Sequence, residues 1–142
     1  MKEDVFFDVE LNGLKSSNDT WTTSCAHHKN LTTAVPVEFD GTGGGVSPED
    51  LFAMSLINCF AATFKVIAKN SKLEFADLHV KGRLYHGRNE KGMWVMKKID
   101  IDATISQPSD SEKAKRLLEK ASGLCMIINS TTLEKNFTYQ VI

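Results

Sequence analysis

The hydrophobic pattern is densest over residues 47–70, SPEDLFAMSLINCFAATFKVIAKN. Ser47 is a good helix cap, because its hydroxyl can accept from a free backbone N–H of the first turn. Pro48 suits the first helical position, where its missing N–H is no loss. Asp50 stands where a capping box carries Glu or Gln, and Glu49 and Asp50 together suit the positive end of the helix dipole. Leu51, Phe52, Met54, Leu56, Ile57, Phe60 and Phe64 then point in nearly every direction, which predicts a helix buried all round. Ser55, Asn58 and Lys65 interrupt the run, which reads as too short for a bilayer span of about 20 apolar residues. The expectation is a core helix with Cys59 at its middle.

The flanking patterns are those of strands. Residues 5–13 place Val5, Phe7, Val9 and Leu11 on one face and end in an Asn-Gly turn signal. Second and third strands are expected over residues 20–28 and 35–39, with GTGGG as the loop into the helix. Leu78, Val80, Gly82 and Leu84 alternate with polar residues over 73–86. Ile99, Ile101, Ala103 and Ile105 do the same over 94–106. The polar stretch 87–92 joins these two long runs into an antiparallel pair. After Pro108, with Ser109 or Asp110 as cap, Ala114, Leu117, Leu118 and Ala121 mark one face of a helix, which Gly123 is expected to break. A short helix carrying Cys125 and a last strand over 137–142 complete the chain. Strands, long helix, strands, helices and strand make an α+β fold over residues 1–142, read as a single domain, with the apolar helix lying between sheets or across a subunit interface.

At 142 residues the chain is long enough for one real core. A formal charge of −1 gives no indication of nucleic acid or an anionic membrane as partner. MKEDVFFDVE has no basic region followed by an apolar run, so no signal peptide is expected and the expected location is cytoplasmic. In a reducing compartment three cysteines read as free thiols, metal ligands or a catalytic pair rather than a structural framework.

Cys59 and Cys125 each lie on an apolar helical segment. They are either two small core hydrophobes or a redox pair, in which one thiolate becomes a sulfenic acid and the other thiol condenses with it. Glu49 reads first as a dipole-complementary carboxylate. Ten residues of helix, about 15 Å, keep it from touching Cys59 directly. Cys25, His27 and His28 suggest metal, but His28 points away from the other two on a strand and no fourth ligand is evident. Asp100 and Asp102, beside Lys98, read as a solvated strand face. The glycines of GTGGG lack the Gly-Lys-Ser/Thr of a phosphate loop, and Glu49 and Asp50 would repel an anion. No metal and no cofactor are expected.

Gly-Gly-Gly-Val-Ser-Pro-Glu-Asp-Leu-Phe-Ala, followed by Cys59-Phe60, resembles the OsmC/Ohr family (osmotically inducible protein C and organic hydroperoxide resistance protein). Pro48-Glu49-Asp50-Leu51 with Cys59 ten residues after the glutamate matches that family's Pro-Glu-x-Leu…Cys spacing. Cys125-Met126-Ile127-Ile128-Asn129-Ser130 stands where its second cysteine opens a short helix. The resemblance covers nearly the whole chain. It implies antiparallel sheets around a long buried central helix, an intertwined homodimer with active sites at the interface, and thiol-dependent peroxidase activity. It implies that Cys59 is peroxidatic, that Cys125 is resolving, and that Glu49 orients the site through an arginine. Organic hydroperoxides are the implied substrates and a dithiol such as a lipoyl group the implied reductant.

The family's arginine comes from before the core helix, and here the first arginine is Arg83. A buried mid-helix thiol gains nothing from the dipole, so peroxide chemistry calls for a cation. His27, His28 and Lys29 are the candidates from the matching segment. Arg83 or Arg88 could serve only if the fold brings them in. Phe52, Phe60 and Met126, with Met54 and Phe64, form apolar surroundings suited to an alkyl tail. The leading expectation is a peroxidase that reduces organic hydroperoxides through Cys59 and Cys125. The rivals are a protein of the same fold that binds an apolar small molecule, which the absent arginine favours, and a thiol redox sensor or structural dimer whose cysteines oxidise without turnover.

Overall fold

The computed structural model describes residues 5–26 and 28–142. The chain forms two compact units, Met1–Leu51 and Phe52–Ile142, with the boundary inside the first turn of the long helix.

The first unit holds a three-stranded antiparallel sheet in the order β1 (Val9–Asn12), β2 (Thr20–Cys25), β3 (Leu31–Ala34). The third strand ends where it was expected to begin. Pro36 fixes φ at −71° and cannot donate to a ladder, so Val37–Phe39 curls into a 3₁₀ turn that closes on Asp40 in the left-handed region. A side chain at Gly41 would run into the Val35 carbonyl, which is why the chain can fold back so tightly here. Val46 then bonds alongside β3, donating to the Thr32 carbonyl and accepting from Ala34 N–H. That contact delivers Ser47 to the start of the helix. Ser47 N–H donates to Asp50 Oδ2 at 3.0 Å and Asp50 N–H donates to Ser47 Oγ at 2.9 Å. This is a reciprocal capping box with Asp in place of Glu.

Helix α1 spans Pro48–Asn70. In the second unit it packs on a sheet of order β4 (Asp77–Arg88), β5 (Trp94–Ser106), β6 (Glu134–Val141). β4 and β5 form the expected antiparallel hairpin, with a register shift at Tyr85/His86. β6 runs parallel to β5, so this sheet is mixed rather than purely antiparallel. The two intervening helices, α2 (Ser111–Leu124) and α3 (Met126–Asn129), form the crossover that a parallel pairing requires. Asp110 caps α2 by accepting from Lys113 N–H. α2 runs through Gly123 and ends only at Cys125, whose extended backbone separates the two helices. One exposed glycine costs about 1 kcal/mol in a helix, too little to break one whose apolar face is already buried.

Only one stripe of α1 is sealed. Leu56, Phe60, Phe64 and Ala68, each four apart, meet Ile99, Ile101 and Ile105 of β5 and Leu117 and Leu118 of α2. Gly82 of β4 allows the close approach: a Cβ there would lie 2.6 Å from Ile57 Cγ2. The remaining faces of α1 are open, with Met54 38% and Val66 60% exposed. The helix is therefore not buried all round in one chain. Its most apolar window has a mean hydropathy of 1.8, so by length and composition it could cross a membrane, contrary to the reading of the interruptions. Its buried stripe is spent against the sheet instead.

Candidate functional site

Cys59 lies midway along α1, on the turn before Thr63 and next to the buried Phe60. Helical geometry puts Cys59 and Thr63 on one face. Cys125 sits at the joint between α2 and α3, where its extended φ and ψ (−68°, 111°) set its side chain into the core. The second unit brings these residues together. Ile127 N–H, in the first turn of α3, donates to Cys59 Sγ at 3.4 Å. The Cys125 thiol donates to the Ala121 carbonyl at 2.9 Å, and the Cys59 sulfur lies near enough to act on it electrostatically.

The two sulfurs differ in their surroundings. Cys59 is half-buried, whereas Cys125 is fully enclosed. Burial pushes the Cys125 thiol up to about 11, and the nearby Cys59 sulfur adds to the rise while the Thr63 hydroxyl opposes it. The mid-helix cysteine, expected to be buried, is only half-buried. Behind Cys125, the phenol of Tyr139 is also held up, by burial first, in spite of its hydrogen bond with Ser122; the Glu119 charge and the Cys125 sulfur add to the effect.

Among the apolar residues expected to line a site, Phe60 is fully enclosed and stacks on Phe137 and Tyr139 at 5.7 and 6.4 Å between ring centroids. That makes it core. Phe64 is likewise buried, against Phe75. Phe52 is half-buried at the edge of the same core, and Met126, adjacent to Cys125, is 56% exposed.

Arg83 and Arg88 are engaged elsewhere. Gly82 faces α1, so its neighbour Arg83 projects from the opposite face of the sheet. There it lines a polar cleft with Lys81, Tyr85, Asp100 and Asp102. The Asp100 carboxyl is held below its usual range, chiefly by a hydrogen bond from Asn136, with Tyr85, Lys98 and Arg83 contributing and slight burial opposing. Arg88 lies over the Trp94 ring at 4.2 Å and donates to the Gly92 carbonyl, which fastens it to the β4–β5 turn. The fold does not bring either arginine in. Glu49, His28 and Lys29 belong to the first unit. Glu49 is half-buried, and its Oε2 is enclosed with no hydrogen-bond partner among the described residues. His28 and Lys29 are exposed, and His28 N–H donates to the Cys25 carbonyl. His27 lies outside the described residues. Cys25 is exposed at the end of β2. Among the described residues no three potential metal ligands assemble.

Sequence reasoning did not single out Thr63, Ala121 or the Ile127 N–H. Thr63 had a legible signal, its position four residues after Cys59. The other two contribute backbone atoms, which carry no signature of residue type.

A family model described as OsmC-like protein matches residues 41–140. An uncharacterized protein of Acinetobacter baylyi is 28% identical over 122 residues, covering 84% of this chain and 82% of that one. An organic hydroperoxide resistance protein of Xanthomonas axonopodis pv. citri is 28% identical over 101 residues, covering 69% and 68%. Among solved structures, an organic hydroperoxide resistance protein from Elizabethkingia anophelis, crystallised with thiocyanate bound, superimposes with a TM-score of 0.81 over the full length of both chains at 21% identity.

Proposed function

We propose, starting from the fact that the chain belongs to the OsmC-like family, that it is a thiol-dependent peroxidase acting on organic hydroperoxides. The observation that carries the reading is the pair of neighbouring thiols with unequal exposure, Cys59 half-open and Cys125 sealed. A peroxide must reach the first sulfur, and the second must be protected until the first is oxidised. In the first step the Cys59 thiolate attacks the terminal peroxide oxygen. The O–O bond breaks, an alcohol leaves after taking a proton, and Cys59 becomes a sulfenic acid. In the second step Cys125 attacks the Cys59 sulfur, the S–S bond forms, the S–O bond breaks, and the hydroxyl leaves with the Cys125 proton as water. A dithiol such as a lipoyl group then reduces the disulfide and is itself oxidised to a cyclic disulfide. The Ile127 N–H directed at Cys59 offers a donor at the sulfur that must carry charge.

Exposed Met126 and half-buried Phe52 are the residues with apolar surface to offer an alkyl chain. The open apolar faces of α1 support a homodimer, since Met54 and Val66 would gain cover from a second copy. The family match runs across both compact units, which supports one OsmC-like domain. Free thiols suit a reducing, cytoplasmic setting. The experiment is hydroperoxide consumption with a dithiol reductant, comparing an alkyl hydroperoxide with hydrogen peroxide. Faster turnover of the alkyl substrate is expected, and no turnover of either would remove the reading.

A second reading follows from a specific observation. The family's arginine is absent before Arg83, and Glu49 Oε2 has no partner among the described residues. Without that cation the pair would oxidise slowly and act as a redox sensor, or the site would hold an apolar ligand without turnover. One oxidation event per chain with no dithiol-driven cycling is the result that would select the sensor.

A further inference from the structure

We propose that Asn129 is a positioning residue for Cys59: its side-chain amide occupies the end of α2, so that the Ile127 N–H stays on the Cys59 sulfur. The proposal rests on the reading of Cys59 as the sulfur that peroxide oxidises.

In an unbroken helix the Ile127 N–H would donate to the carbonyl four residues back, at Gly123. α2 ends before that bond can form. Cys125 takes an extended backbone, with φ −68° and ψ 111°, between α2 and α3. The Ile127 N–H is thereby released, and it donates to Cys59 Sγ at 3.4 Å. The Gly123 carbonyl is one of the four at the end of α2 that the helix leaves without an internal partner. Asn129 Nδ2 donates to it at 3.1 Å, in the place the Ile127 N–H would have taken. Asn129 also donates its backbone N–H to the Cys125 carbonyl at 2.8 Å, the bond that opens α3. One residue therefore fastens the chain on both sides of Cys125. Without the side-chain amide, the Gly123 carbonyl would compete with Cys59 Sγ for the Ile127 N–H, and sulfur is the weaker acceptor. The outcome of that competition matters to the chemistry, because a thiolate is the attacking species and an N–H donor is worth most to the charged form. Asn129 and Gly123 are both exposed, so neither is needed to fill the core.

The test reads the Cys59 sulfur without peroxide. In a Cys25→Ser background, iodoacetamide alkylates Cys59 at neutral pH: the C–S bond forms, iodide leaves and the thiol proton passes to solvent. Peptide mass mapping gives the rate at Cys59 alone. Asn129→Ala should slow it about tenfold, the loss expected when a hydrogen bond to a charged sulfur is given up. A merely structural role predicts the opposite sign, because a loosened joint would expose the half-buried thiol and speed its alkylation. The Ile127 amide resonance is the second readout. Cys59→Ala, which removes the acceptor, should displace that resonance when Asn129 is present and leave it in place in the Asn129→Ala protein. Alkylation of Asn129→Ala at the parental rate or faster, or an Ile127 resonance there that still responds to Cys59→Ala, would overturn the proposal. Loss of the free Cys59 thiol to an alkyl hydroperoxide is followed in parallel. Slowed alkylation in Asn129→Ala, with a Cys59 that no hydroperoxide oxidises in the parent, would sink the peroxidase reading and leave Asn129 in its role; normal oxidation of Cys59 with unchanged alkylation would do the reverse.

Discussion

Cys59, half-buried on α1, accepts a hydrogen bond from Ile127 N–H, two residues past Cys125, which has no exposed surface at the α2–α3 joint. A disulfide needs Cα atoms within about 7 Å, and the neighbouring Cys59 sulfur already acts on the Cys125 thiol. Mild oxidation should therefore give an intrachain Cys59–Cys125 bond. Peptide mapping under non-reducing conditions checks this, and a bridge made instead by exposed Cys25 would count against it.

Replacing Cys125 by serine should separate the two chemical steps. The first equivalent of alkyl hydroperoxide should still be consumed at Cys59, with the sulfenic acid persisting long enough for a dimedone-type probe to trap it. Intact-mass measurement reads the adduct. Loss of even the first equivalent would mean that Cys125 is needed before oxidation rather than after it.

Burial of Cys125 also predicts how stability depends on pH. Its thiol is raised from 9.0 to about 11 in the folded chain, so between those values the folded state retains a proton that the unfolded state has lost. Stability should be fully present below pH 9 and decline as pH rises toward about 11, by on the order of 3 kcal/mol from this group. Other groups titrate in the same range, so the quantity to measure is the difference between the parent and Cys125→Ala in urea unfolding at each pH. A difference that stays flat through this window would show that the thiol is not held neutral by the fold.

Much of the architecture was legible because it is local. Ser47, Pro48 and Asp50 announce the start of α1, and the alternation of Ile99, Ile101, Ala103 and Ile105 announces β5. Failures came where one local signal met a stronger neighbour. Pro36 turned the apolar run after Ala34 away from the sheet, and packing of Leu117, Leu118 and Ala121 carried α2 through Gly123. The parallel direction of β6 depends on how the α2–α3 crossover returns the chain, which no periodicity encodes. In the candidate site the two cysteines were visible as residue types. Their approach, and the Ile127 N–H directed at Cys59, arise from folding one segment against another.

The helix–sheet contact that supports the pair passes through Gly82. Gly82→Ala would place a Cβ 2.6 Å from Ile57 Cγ2 and force α1 outward. Overpacking of this kind costs about 1–3 kcal/mol. Ile57→Ala, which removes Cγ2 itself, should recover part of that loss in the double variant. Chemical denaturation of the four proteins of this cycle gives the coupling, and strictly additive effects would mean that the two residues do not meet.

The central claim is that Cys59 is the sulfur that peroxide oxidises and that Cys125 completes a cycle a dithiol can reset. Steady-state consumption of an alkyl hydroperoxide in the presence of reduced lipoic acid tests it most directly, run side by side on the parent, Cys59→Ser and Cys25→Ser. The account predicts many turnovers per chain for the parent and for Cys25→Ser, and none above the uncatalysed rate for Cys59→Ser. Undiminished turnover in Cys59→Ser, or no turnover beyond the first equivalent in the parent, would contradict it.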